Sequence, residues 1–260
     1  MSLTYSSYLK VHELLDLQQP LSDGPEHDEM LFIIIHQVYE LWFKEMLHEM
    51  DFLCGRLLES DHWRALHTFR RILTILKVAV RQIDILETMT PVEFLTFRHR
   101  LESASGFQSY QFRELEFTLG YKRRGIFQFY EDDPGAHAQL EKRYQAPTLW
   151  DAFLHYLNQN GHPIPAESLR RDVSLPIEAS PDIQQALLAV YRTKSNLTRV
   201  CERMVDLDEG LQEWRYRHVK MVERTIGVKQ GTGGSSGVQY LKGTLFKPFF
   251  PDLWAIRAEL

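Results

Sequence analysis

Between residues 27 and 58 the apolar side chains Leu31, Ile34, Ile35, Val38, Leu41, Trp42, Met46 and Leu47 return every third or fourth position. That period belongs to one face of an α-helix and not to a strand, whose faces alternate every second residue. Tyr39 to Lys44 is too bulky and apolar to face only water. A second pattern of the same period runs from about Asp61 to Thr88, through Leu66, Phe69, Ile72, Leu73, Ile75, Leu76, Val80, Ile83 and Ile85. It is expected to pack antiparallel on the first.

Thr90, Pro91 and Glu93 form a helix start, with a capping hydroxyl, a proline at the first helical position and a carboxylate that reaches back to the cap amide; the helix is expected over Val92 to about Leu101. A break follows at Ser103 to Gly106, then helix from Phe107 to Leu119, with Gly120 at a left-handed terminus. The period weakens from Tyr121 to Pro147, where Asp132, Asp133, Pro134 and Gly135 signal a turn. Pro163, Pro165 and Pro176 read as a long surface connection over 159 to 179. Ser180 and Pro181 start a helix expected to reach about Asp206, and another is expected from Glu209 to Ile226, before Gly227. With no repeat and no alternating strand, the chain reads as all-α, a single large helical domain over residues 1–260.

A chain of 260 residues lies near the ceiling for one hydrophobic core. With 44% hydrophobic and 25% charged residues it has the composition of a folded globular protein. Its formal charge of −5 is mixed along the chain, which excludes the electrostatic footprint of a nucleic-acid or anionic-membrane binder. The two cysteines, Cys54 and Cys201, form no CxxC pair and no secretory leader precedes them, so a reducing, cytoplasmic setting is expected. No apolar run approaches the roughly 20 residues of a membrane span; the nearest is Met30 to Ile35.

The string GTGGSSG (231–237) resembles a phosphate loop only loosely: a helix precedes it and no lysine follows. It reads as a flexible linker or as a ligand lid whose backbone amides can approach a carboxylate. The 11 histidines offer no HExxH and no zinc-finger spacing; a metal-dependent bundle using His27, Asp28, Glu29 and His36 stays as an alternative. His36 lies among Phe32, Ile33, Ile34, Ile35, Val38 and Leu41, and is either a satisfied interior imidazole or a polar group aimed into an apolar pocket. Arg98 alone reads as a surface or ion-pair residue. His218, between Arg217 and Val219, reads as a partly exposed histidine, since a b-type haem leaves no CxxCH signature.

Four strings in order, HDEMLFIIIHQVYELWFKEM (27–46), SGFQSYQFRELE (105–116), WRYRHVKMVERTIGVKQGTGGSSGVQYL (214–241) and FFPDLWAIR (249–257), closely resemble the tryptophan 2,3-dioxygenase family. The similarity extends from Tyr5 to the terminus and is loosest between about 121 and 200. It implies a haem-dependent homotetramer that uses ferrous haem b and O2 to cleave the C2–C3 bond of the L-tryptophan indole ring, giving N-formyl-L-kynurenine. Both oxygen atoms enter the product.

By the same resemblance His218 is the proximal haem ligand and metal-binding residue, and His36 is the distal histidine, hydrogen-bonded to the indole nitrogen. Phe32 lies against the indole, within a substrate-binding string that includes Ile33, Ile34 and Ile35. Arg98 clamps the substrate carboxylate, with Phe94 one turn earlier where some relatives carry a tyrosine. Thr232 touches the ammonium and carboxylate, and Ser105 and Gly106 lie beside the haem edge and the oxygen site. Tyr5, Tyr8 and Leu9, within an N-terminal segment of about residues 1–20, reach into a neighbouring subunit's pocket. Rival readings are a non-catalytic haem carrier and a related haem oxygenase acting on another indole.

Overall fold

The computed structural model describes residues 2–24, 26–102, 104–193, 195–229 and 237–260, and among them every regular element is a helix. The short helices α1 (Tyr5–Leu9) and α2 (Val11–Leu15) precede α3 (His27–Leu58), whose bounds are those expected from the hydrophobic period. After a tight turn, Asp61 caps α4 (His62–Leu86) by accepting a hydrogen bond from the Arg64 amide at 3.0 Å. α4 packs on α3, as expected, and its other flank packs on α11 (Asn196–Ile226). At about 1.5 Å per residue α3 and α11 are each close to 50 Å long, and α4 lies between them as the shared core. The close approach of α4 and α11 is set by Gly210: a Cβ there would meet Leu76 Cδ2 at 2.7 Å.

Thr90 and Glu93 form the expected capping box of α5 (Pro91–Phe97), with Glu93 N donating to Thr90 Oγ1 at 3.3 Å and Thr90 N to Glu93 Oε2 at 2.7 Å. The α-helix gives way to a 3-10 turn over Arg98–Leu101, so the expected ten-residue helix has two parts. A second 3-10 turn, Gly106–Gln108, precedes α6 (Tyr110–Thr118), and Gly120 takes the left-handed conformation expected of it, φ +97°.

Beyond this point the structure corrects the sequence reading. The Asp132 to Gly135 turn is a helix start: Asp133 caps α7 (Pro134–Gln145), accepting from Ala136 N at 3.0 Å. Thr148 and Asp151 form a capping box for α8 (Leu149–Gln159), which packs on α3. A short helix, α9 (Ala166–Leu169), interrupts the connection from 159 to 179. The following helix, α10 (Pro181–Thr193), ends well before Asp206, and Ser195 starts α11, its hydroxyl accepting from Leu197 N at 3.2 Å.

α11 then runs unbroken through Asp208. That carboxylate is fully buried, and its Oδ2 accepts from the amides of Phe249 (2.9 Å) and Phe250 (3.0 Å) and from Trp254 Nε1 (3.0 Å). It pins the aromatic tail, which carries α12 (Val238–Lys242) and α13 (Pro251–Ala255), onto the core. No described helix is long and apolar enough to cross a membrane.

Candidate active site

One cavity opens between α3, α5, the turns after it, α6, α11 and α12. The space between these elements, the open solvent at its mouth included, is about 1580 Å³.

α3 contributes Phe32, His36, Tyr39, Glu40 and Phe43 to the wall. The helical period explains why its isoleucines do not take part: at about 100° per residue, positions 33 to 35 rotate away from the face that 32 and 36 share. Ile35 is only 4% exposed, inside the core, while Ile34 is 42% exposed on the opposite side. Of the five positions expected to form a substrate-binding string, Phe32 and His36 border the cavity and Ile33, Ile34 and Ile35 do not.

The His36 ring lies 4.1 Å from that of Phe32, centroid to centroid, and its Nδ1 donates to the Phe32 carbonyl at 2.7 Å. Because a carbonyl only accepts, the ring proton is on Nδ1 and Nε2 keeps its lone pair. Burial lowers the imidazole pKa, against the opposing pull of the Phe32 carbonyl and Glu40, so the neutral acceptor is the resident form.

α5 places Phe94 on the wall, 5.8 Å from the Phe32 ring, with Phe97 buried behind both. Arg98 follows one turn after Phe94, at the junction of α5 with its 3-10 turn, and faces the same cavity. Ser105 and Gly106 border it too; Ser105 Oγ accepts from Phe107 N at 3.3 Å, and a Cβ added to Gly106 would meet nothing within 4 Å. That open space is where a bulky guest can approach the backbone.

On the opposite side α11 presents Trp214, Arg215, His218, Val219, Met221, Val222, Thr225 and Ile226. The His218 ring stacks on Trp214, 5.0 Å between centroids and 8° from parallel. Burial pushes its pKa down to about 4, with smaller contributions from His36 and Arg113. A neutral imidazole held against a flat partner on a cavity wall is the form that ligates a metal. The apolar lining from Leu86, Met89, Phe112 and Val222 supplies the rest of what a porphyrin face needs. The residues therefore fit a haem held beneath one histidine. No three described His, Cys, Asp or Glu side chains come together as a metal-ligand cluster, so the bundle alternative finds no ligand set there.

Three groups outside the sequence reading also reach this wall: Arg113 and Glu116 on α6, and Tyr240 on α12. Arg113 and Glu116 are buried charges on α6, each less than 5% exposed. Burial raises the Glu116 pKa, but the guanidiniums of Arg113, Arg123 and Arg215 overrule it and hold the carboxyl below its usual range.

Tyr5, Tyr8 and Leu9 lie on α1, away from their own chain's cavity and exposed by 76%, 70% and 45%. Thr232 and most of the glycine-serine string lie outside the described residues.

A family model for tryptophan 2,3-dioxygenase matches residues 1–147 and 183–260. The chain belongs to the tryptophan 2,3-dioxygenase family. It is 64% identical over 259 residues to a tryptophan 2,3-dioxygenase of Herpetosiphon aurantiacus, covering all of this chain and 99% of that one. Over its whole length it is also 53% identical to that of Anaeromyxobacter sp. strain K and 44% identical to that of Bacillus thuringiensis strain Al Hakam, covering 97% and 93% of those proteins. The stretch without a family match, 148–182, falls inside the region where the four-string resemblance is loosest, and holds α8, α9 and the connection to α10. Family members are haem-dependent dioxygenases, and all the described wall residues named by the resemblance lie in the segments that match.

Proposed function

We propose that the cavity holds haem b through His218 and L-tryptophan through Arg98, and that the chain catalyses O2-dependent cleavage of the indole C2–C3 bond to N-formyl-L-kynurenine. The observation that carries the reading is convergence: Phe32, His36, Phe94, Arg98, Ser105, Gly106 and His218, drawn from four separate segments, border one space. When bound, ferrous haem supplies the binding and activation of O2. The protein's residues hold and orient the substrate.

Tryptophan joins an apolar ring to a zwitterion, so its site must exclude water at one end and solvate two charges at the other. Phe32 and Phe94 enclose the ring. Nε2 of His36 accepts the indole N–H, which turns C2 and C3 toward the haem. Arg98 offers its planar fork to the carboxylate. Thr232 completes the clamp, contributing its hydroxyl and amide to the amino-acid group. The assembly is a cytoplasmic homotetramer in which Tyr5, Tyr8 and Leu9 close a neighbouring pocket; their exposure on α1 supports that role, and the unpaired thiols Cys54 and Cys201 agree with a reducing compartment.

The test is an absorption spectrum of the purified, reduced protein before and after L-tryptophan, followed by admission of O2. A Soret band that shifts on addition, then product absorbance, is the expected result. A colourless protein overturns the cofactor. A coloured protein that ignores tryptophan favours the haem carrier.

His36 has a separate test, because a hydrogen bond that only orients contributes about 0.5–1.5 kcal/mol. The variant His36→Ala is expected to keep measurable turnover, with kcat/KM reduced by roughly two- to tenfold. 1-Methyl-L-tryptophan, which has no N–H to donate, should show no further loss in the variant. Complete inactivity with haem still bound would make His36 an obligatory base instead.

A further inference from the structure

The N-terminal arm has no core of its own. No residue of α1 or α2 is buried, and Leu3, Tyr5, Tyr8, Leu14, Leu15 and Leu17 are exposed by 41–76%. Its base, by contrast, is fastened to α3. Glu29 is only 2% exposed, and its carboxylate accepts from the amides of Leu21 (2.7 Å) and Ser22 (3.1 Å) and from the Ser22 hydroxyl. Burial alone would raise the carboxyl pKa of Glu29, but these three donors and the nearby Arg100 overrule it and keep the group charged. Gln37 adds a second fastening: its Nε2 donates to the Leu17 carbonyl at 3.1 Å and its Oε1 accepts from Gln18 Nε2 at 2.5 Å. One residue beyond the Glu29 clamp, Asp23 Oδ2 accepts from Arg100 Nη2 at 2.5 Å.

Arg100 belongs to the 3-10 turn Arg98–Leu101. At about three residues per turn, positions 98 and 101 share a face and position 100 leaves on another. Arg98 and Leu101 border the cavity, while Arg100 reaches the base of the arm. One four-residue turn thus carries the arginine assigned to the substrate on one face and the tie to the arm on the other. The turn ends at Glu102, whose φ of +47° is a conformation that residues with a side chain rarely adopt. Backbone of that kind keeps its position only through the contacts that hold it, and the ion pair to Asp23 is one of them. With the Asp23 side chain 83% exposed, the pair adds little to stability. What it fixes is the placement of the turn against the arm.

We propose that Arg100 is a positioning residue that links a subunit's own tryptophan site to the arm it lends to a neighbour, through its ion pair with Asp23. The proposal rests on the reading of Arg98 and of the exchanged arm given above. Tryptophan held by Arg98 steadies the turn, the turn steadies Asp23, and the base of the arm is set for docking. By linkage the effect runs both ways: an arm seated in the neighbour's pocket raises the affinity of its own subunit for tryptophan by the same factor. Glu29 and Gln37 serve as the fixed pivot, so that a shift at Asp23 is passed to α1 and α2 and not lost in a loose connection.

The experiment is a double-mutant cycle on the full-length, haem-loaded, reduced protein, titrated with L-tryptophan in the absence of O2 and read by the Soret shift. Arg100→Gln is expected to weaken tryptophan binding about two- to fivefold, the scale of one exposed ion pair, with kcat at saturating tryptophan unchanged. Asp23→Asn, a change at an exposed side chain, should reproduce it, the two together should be no worse than either alone, and Arg100→Lys should restore part of the affinity. Tyr8→Ala on the arm should weaken binding less in the Arg100→Gln background than in the unaltered protein, again by about two- to fivefold. If Tyr8→Ala costs the same factor in both backgrounds, the arm reading stands and the link through Arg100 is overturned. A fall in kcat that matches the loss of affinity in Arg100→Gln would also overturn it, making the ion pair a structural one. If Tyr8→Ala leaves the affinity of the unaltered protein as it was, the exchanged arm fails, and this proposal with it.

Discussion

Arg98→Ala is expected to retain its haem and to show a KM for L-tryptophan raised by about a hundred- to a few thousandfold. Removing one partner of a buried charge pair leaves the other desolvated and alone, at about 3–5 kcal/mol, and each 1.4 kcal/mol is a factor of ten. Two features of the site place the effect at this scale. Phe94, where some relatives carry a tyrosine, packs on Phe32 and Phe97 and has no hydroxyl to share the carboxylate. α5, which ends immediately before Arg98, is capped at Thr90 and anchored by the buried rings of Phe94 and Phe97. Arg98→Lys should recover part of the loss, keeping the charge and losing the planar fork. Tryptamine, which has no carboxylate, should bind poorly and almost equally to both proteins. A KM for tryptophan unchanged by Arg98→Ala would remove Arg98 from the site.

What the sequence made legible follows from how local each signal is. The period of α3 and the capping box of α5 are written within a few residues of the structure they specify, and both appear at the expected positions. Gly120 is of the same kind; besides its φ of +97°, a Cβ there would overlap Ile177. The continuation of α11 through 206–209 is different. Read locally, one helix ends near Asp206 and another starts at Glu209, yet Asp208 between them is helical and buried, and it accepts from three donors of a tail more than forty positions downstream. The start of α8 had a local signal, Thr148 with Asp151, masked by the weak apolar period around it.

The same division runs through the site. His36, Arg98 and His218 are ordinary residues by spacing alone, and only the family resemblance assigns them roles. Glu116 and the three guanidiniums around it carry no local mark either, because a charged side chain reads as solvated. Glu116 and Arg215 are 99 residues apart, and only folding reveals that α6 and α11 turn these charges inward against each other. Buried charge is the property that sequence periodicity conceals most effectively.

His218→Ala is expected to yield protein with little or no haem, or with a Soret band no longer typical of histidine ligation. Two readings of this residue make opposite predictions. If His218 were only an interior imidazole, its stacking on Trp214 and its burial would be all that alanine removes; the protein would lose some stability and its spectrum would not change. If His218 grips iron, the variant loses the bond between imidazole and iron, while the apolar wall from Leu86, Met89 and Phe112 stays intact. Alanine is the informative replacement because it preserves helix propensity in the middle of α11 and leaves a hole of about the size of an imidazole beside Trp214. Free imidazole added to the variant should then enter that hole and restore the histidine-type spectrum, which no purely structural role would allow. A five-coordinate, histidine-ligated spectrum in His218→Ala without added imidazole would show that another residue holds the iron, and would undo the assignment on which the orientation of the whole cavity depends.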